Sequence, residues 1–257
     1  MKCSWTISAP AWAPSGSACR SDSGTAVTPR SALPLSSLPL FPETSCSTPF
    51  DLSRREFVIA LLRHGQTCGN VSKASYMDVS EDDMLLTEQG RAETEELAKA
   101  LAELGSPSGP VLLAPERRCE QSAVLLGLEQ RSFRTDPRLR SQSWGTFDFP
   151  GARELLTRSK TWPSGLDVRF AGGETSREVY DRCRPVAEEL RSAELAEPGV
   201  LSAVVTHGVV IKLLLAHWSS WPDATIEGTR SISTGSGVTV TFSKDDGSVR
   251  YESLPRA

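Results

Sequence analysis

The sequence predicts an α/β protein: three layers, a largely parallel sheet with helices on both faces, and a C-terminal β-hairpin. Three observations predict it. Apolar runs of strand length occur at 57–62, at 111–114 and, but for Ser202 and Thr206, at 200–206, the composition of strands buried on both faces. Segments with helical spacing of apolar residues separate them, and such alternation builds parallel sheets with helical crossovers. Near the end, two alternating segments flank Asp246-Gly247, the mark of a tight hairpin.

Residues 1 to 52 stand apart. They are rich in Ser, Pro and Ala, poor in acids and without lasting periodicity. Such a stretch buries too little apolar surface to offset its ordering entropy. It reads as a disordered or transit-peptide-like extension, with residues 53–257 as the folded domain. The expected location is cytoplasmic, or organellar (plastid or mitochondrion) if the extension is a transit peptide. The six cysteines, at 3, 19, 46, 68, 119 and 183, form no Cys-x-x-Cys pair and suggest a reduced setting. With three histidines there is no pattern of metal ligands, so neither metal nor cofactor is expected. The net charge of -4 argues against nucleic acid as a bulk partner, and no apolar run is long enough to span a membrane.

The first strand, from Phe57, runs into Arg63-His64-Gly65-Gln66-Thr67-Cys68-Gly69-Asn70. A cation, an imidazole and a glycine therefore lie at the carboxyl end of a buried strand, where open α/β sheets place ligands. Arg63 offers a planar fork of donors for a phosphate or carboxylate. His64 can be a nucleophile or a proton carrier. A helix is expected from Leu86-Thr87-Glu88-Gln89-Gly90 to about Leu104, with Thr87 as N-cap and Ala92, Leu97, Ala100, Leu101 and Leu104 as its apolar stripe. Gly105 and Pro107 end it.

After the second strand, Pro115 is expected near the first position of a helix that carries Arg118 in its opening turn. Free backbone N–H groups there favour an anion. A third short strand is expected over 132–135, then a loop from Asp136 to Gly145, then an irregular stretch over 150–175. A long helix over 176–195 turns Val179, Cys183, Val186, Leu190 and Ala193 inward. The strand over 200–206 ends in His207-Gly208, as the first ended in His64-Gly65, and an apolar helix follows to Trp218.

The string Arg-His-Gly-x-Thr-x-x-Asn after a strand resembles the signature of the histidine phosphatase superfamily, the phosphoglycerate-mutase-like proteins. Leu86-Thr-x-x-Gly90, the Pro115…Arg118…Gln121…Ala123 string and Val-Val-Thr-His207-Gly resemble its later motifs. The segments from Asp136 and from Phe170 look most like broad-range phosphatase members. The resemblance implies a phosphomonoester hydrolase that acts on a small phosphorylated substrate through a phosphohistidine on His64. Arg63, Arg118 and a protonated His207 would neutralise the equatorial oxygens, with Thr67 and Asn70 as further donors. Glu174, in Gly-Glu-Thr, would sit near the site or cap the next helix.

One departure bears on the chemistry. Where the family shows Leu-x-Glu-x-x-x-Gly, with Glu as general acid, this chain has Leu139, Ser141 and Gly145. A hydroxyl cannot supply a proton as a carboxylic acid does, and loss of such an acid costs about 10²–10⁴-fold with poor leaving groups. Asp148 is the first candidate substitute and Glu174 the second. Two other readings stay open: a catalytically weak or inactive pseudo-phosphatase that binds phospho-ligands, and a phosphoglycerate mutase.

Overall fold

The computed structural model describes residues 56–128, 133–147, 150–158, 165–169, 172–194, 201–243 and 245–254. The extension expected over 1–52 lies outside the described residues. In chain order the elements are β1 (Glu56–Arg63), α1 (Cys68–Val71), α2 (Glu88–Leu104), β2 (Val111–Leu113), α3 (Arg117–Leu125), β3 (Phe133–Thr135), α4 (Ala152–Arg158), α5 (Ser176–Glu194), β4 (Leu201–Thr206), α6 (Gly208–Trp218), α7 (Asp223–Gly228), β5 (Gly237–Ser243) and β6 (Val249–Leu254).

The strands form one sheet in the order β3-β2-β4-β1-β5-β6. The first four in that order pair in parallel, while β5 and β6 pair antiparallel as the expected hairpin. The apolar runs of β1 and β4 are completely buried because each strand has a neighbour on both sides and helices above and below. Phe57 stacks flat on Phe242 across β1 and β5, with ring centroids 4.6 Å apart. Among the helices, α2 packs with α3 and α5 with α6. No helix among the described residues is long and apolar enough to cross a membrane.

One local expectation is refined and another changes. Pro115 lies near the first helical position of α3 but two residues before it, because Glu116 keeps extended backbone angles and is the cap residue. The buried stripe of α2 includes Gly90 and Thr94 rather than Ala92, which is exposed. The reason is the loop after β1. A Cβ on Gly90 would come within 2.1 Å of the Gln66 carbonyl oxygen, and one on Gly65 within 2.0 Å of the Gly90 carbonyl oxygen. The two backbones touch with no room for a side chain, so this face of α2 must be small. Thr87 caps the helix as expected, accepting from the Gly90 amide at 3.0 Å, and also donates to the Gln66 side chain.

Gly90→Ala tests that contact. Alanine is favoured over glycine inside a helix by about 1 kcal/mol. Forcing a methyl into closed backbone packing costs about 1–3 kcal/mol or more. The clash prevails, so chemical denaturation should show a net loss of stability rather than a gain.

Candidate active site

Register brings the two histidines together. β1 and β4 lie side by side in parallel, with Arg63 opposite Thr206. The next residue in each strand is a histidine, so His64 and His207 leave the sheet at the same edge. The His64 amide donates to the Thr206 carbonyl at 3.1 Å. The two rings meet edge to face, with centroids 5.0 Å apart.

The His64 ring has a defined orientation. Its Nδ1 lies 2.7 Å from the Gly65 carbonyl oxygen. A carbonyl only accepts, so Nδ1 carries the hydrogen, and the lone pair of the neutral ring is on Nε2. Burial pushes the His64 pKa well below its ordinary value; a charge on His207 and the cations Arg63 and Arg118 push the same way. The ring is therefore neutral at physiological pH and able to act as a nucleophile.

Two guanidinium groups complete the cup. Arg63 donates through Nη1 to the Ile232 carbonyl, while its buried Nε has no protein partner. Burial lowers its pKa to about 10, so it stays cationic. Arg118, 2% exposed, donates to the Glu81 carbonyl and pairs through Nη2 with the Glu81 carboxylate at 2.8 Å. Helix α3 is fixed against the Arg-His-Gly loop by Ser122, which accepts from the Gly65 amide at 3.2 Å and donates to the Arg118 carbonyl at 2.8 Å. Thr67 and Asn70 bond to one another: Asn70 Oδ1 accepts from the Thr67 amide at 2.9 Å and from its hydroxyl at 3.0 Å. They shape the turn beside the cup.

The sequence pattern gave no reason to single out Glu116. It is the cap residue of α3, 8% exposed. One carboxylate oxygen lies 2.9 Å from His207 Nε2, and the other accepts the Ser141 amide at 2.6 Å. Arg118 lies 3.8 Å away. Burial alone would raise the Glu116 pKa; the bonds from His207 and Ser141 and the charge of Arg118 outweigh it, so the free protein holds a carboxylate. Burial also disfavours a cationic His207, and Glu116 offsets this only in part. Burial thus favours a neutral His207 ring that donates through Nε2 to the carboxylate. Cys119 Sγ lies 3.7 Å from the same Nε2, and burial keeps it a thiol by raising its pKa. Glu116, Cys119 and His207 are the metal-ligand types that gather here, with ligand atoms within 4.8 Å of one another. A protonated thiol and an engaged carboxylate make them a hydrogen-bonded network in this state.

Of the two candidate substitutes for the acid, Asp148 lies outside the described residues. Glu174 is held by Arg140, at 2.6 and 2.7 Å, and by Arg182 at 3.0 Å. Burial alone would raise its pKa, but the two guanidinium groups hold it down at about 2. Arg182 also donates to the carbonyls of Arg138, Arg140 and Ser141. The Glu174–Arg182 pair thus anchors the loop that carries Ser141. A cleft open to solvent and lined by Tyr76, Glu81, Glu116, Ser141 and Trp144 meets this cup at Glu116.

A buried imidazole thus lies among two arginines and a second histidine, all at the carboxyl edge of one sheet. The chain belongs to the histidine phosphatase superfamily (branch 1), whose family profile matches residues 59–253. It is similar to two Arabidopsis thaliana proteins, the phosphoglycerate mutase-like proteins AT74H and AT74. Each is 25% identical over 66% of this chain, covering 68% of the first relative and 60% of the second. It is also 25% identical to the broad-range acid phosphatase DET1 of Saccharomyces cerevisiae, over 42% of this chain and 33% of that protein. Among solved structures, a mycobacterial glucosyl-3-phosphoglycerate phosphatase complexed with VO3 matches with a TM-score of 0.59 and 27% identity, over 76% of this chain and 96% of that one. Mycobacterial hydrolase 1 shares the fold at a TM-score of 0.63 and 24% identity, over 79% of this chain and all of that one.

Proposed function

We propose that the protein is a phosphomonoester hydrolase that works through a phosphohistidine on His64 and needs no metal. The observation that carries this is the His64 ring itself: buried, neutral, with Nδ1 committed to the Gly65 carbonyl and Nε2 left as nucleophile. Nε2 attacks phosphorus, the ester oxygen departs, and water then attacks the phosphohistidine to release phosphate. Arg63 and Arg118 meet the charge on the equatorial oxygens, the main demand of such a transfer. The unpartnered Nε of Arg63 is a donor for one of them. Similarity to a glucosyl-3-phosphoglycerate phosphatase and to a broad-range acid phosphatase supports hydrolysis over the mutase reading.

The test is to trap the intermediate. Wild-type protein quenched during turnover of p-nitrophenyl phosphate should carry one acid-labile, alkali-stable phosphoryl group on the peptide containing His64, with phosphate released at steady state and unaffected by chelators. Phosphate release without any such adduct would remove the covalent route. Transfer to phosphoglycerate with little free phosphate would favour the mutase.

A further inference from the structure

We propose that Glu116, from the cap of α3, is the general acid–base group of this site and takes over the task for which position 141 has only a serine. The inference rests on the phosphatase reading and adds a residue to it. Its ground is geometric. The chain at Ser141 and the carboxylate of Glu116 both line the cleft and are joined there, Ser141 amide to Glu116 oxygen, at 2.6 Å. A carboxylate thus occupies the space beside residue 141, although it comes from 25 residues earlier. Its other oxygen is bonded to His207, whose ring lies against the nucleophile. It also lines the cleft that leads to solvent, the side from which the organic part of an ester must enter and depart.

The other carboxylates suit the task less well. Glu174 is bonded to Arg140, Arg182 and the Ser143 amide, on the loop, rather than to His207 beside the nucleophile. Glu81 reaches Arg118 but is 45% exposed and lies on the loop after α1, outside the contact with His207.

The proton balance closes. A phosphate ester dianion brought beside Glu116 disfavours a second negative charge, so a proton enters from solvent with the substrate and settles on Glu116. As the bond from His64 Nε2 to phosphorus forms and the bond to the leaving oxygen breaks, Glu116 passes this proton to that oxygen. The product alcohol leaves. Glu116, again a carboxylate, takes a proton from the water that attacks phosphorus, the bond to Nε2 breaks, and phosphate is released.

The experiment compares two substrates with one variant. Against an alkyl phosphate, whose alkoxide needs a proton, Glu116→Gln should lose about 10²-fold more kcat/KM, which reports the phosphorylation step alone, than against p-nitrophenyl phosphate, whose leaving group departs unaided. Adding Ser141→Glu to Glu116→Gln should restore much of the alkyl phosphate rate. A burst of p-nitrophenol from the first turnover, with the far-UV circular dichroism of the wild type, shows that the variant is folded; should it not fold, Glu116→Asp, which keeps the acid and shortens its reach, should show the same leaving-group bias in weaker form. Equal losses of kcat/KM on both substrates, no loss on either, or the same selective loss in Glu81→Gln would overturn the assignment. If the wild type hydrolyses neither substrate and forms no phosphoenzyme, the phosphatase reading falls and takes this proposal with it. If the wild type is active and Glu116→Gln is indifferent to the leaving group, only the role of Glu116 falls.

Discussion

Replacing His64 by alanine is expected to abolish p-nitrophenyl phosphate hydrolysis, with kcat reduced by about 10⁴-fold or more. The other groups of the site cannot form the covalent intermediate, and removing a nucleophile from a concerted set costs nearly as much as removing the whole set. Binding of inorganic phosphate should survive, because Arg63 and Arg118 remain and the variant removes a neutral ring rather than a charge. That separation of turnover from affinity is what distinguishes a nucleophile from a ligand-holding residue. The pH dependence gives a second reading. Burial lowers the pKa of His64, so the ring stays neutral as pH falls through its ordinary value of 6.5. Wild-type kcat/KM should therefore not decline on the acid side near pH 6.5, as it would if an unperturbed imidazole were the nucleophile. A variant that kept more than about a tenth of wild-type kcat would show that His64 does not carry the phosphoryl group.

The parts of this site that are legible in the sequence are those that depend on one strand and the turn after it. The runs before His64 and His207 announce buried parallel strands, and an adjacent, in-register pair of such strands must set the residues that follow them side by side. Arg118 is legible because a helix opening after a short strand puts its first turn at the same edge. Glu116 is not. Its neighbour in the sequence is a proline and its neighbour in space is Ser141, and only the packing of α3 against the 136–145 loop connects the two. Nothing in the spacing of Pro115 and Arg118 distinguishes the residue between them from a solvated charge such as Arg117, which is indeed exposed. Arg182 was hidden for a related reason. It sits in α5 with no mark of function, and its value lies in four partners drawn from positions 138 to 174. The face of α2 is the reverse case: the glycine at 90 was visible in its motif, but the reason for it, the closed contact with Gln66, required the fold.

Arg118→Ala is expected to lower kcat/KM by about 10³-fold and to weaken inorganic phosphate binding, while Arg117→Ala one residue earlier leaves both near wild type. The contrast follows from burial. The Arg118 side chain is 2% exposed and its charge is among those felt at His64, so in this low-dielectric cup it is poorly screened by water or salt. Loss of one preorganised donor to a developing negative charge costs about 10²–10³-fold. Here the loss is expected at the upper end, because removing the cation also leaves Glu116 and Glu81 as uncompensated negative charges where a phosphate dianion must enter. Lysine at 118 should recover only part of the rate: it restores the charge but not the two-pronged donor that now holds both the carbonyl and the carboxylate of Glu81. When phosphate arrives, Glu81 must give up Arg118, so Glu81→Gln should tighten phosphate binding in the wild-type background. If instead Arg117→Ala proved as damaging as Arg118→Ala, the cation at this helix start would be the exposed one, and the cup would have to be redrawn around it.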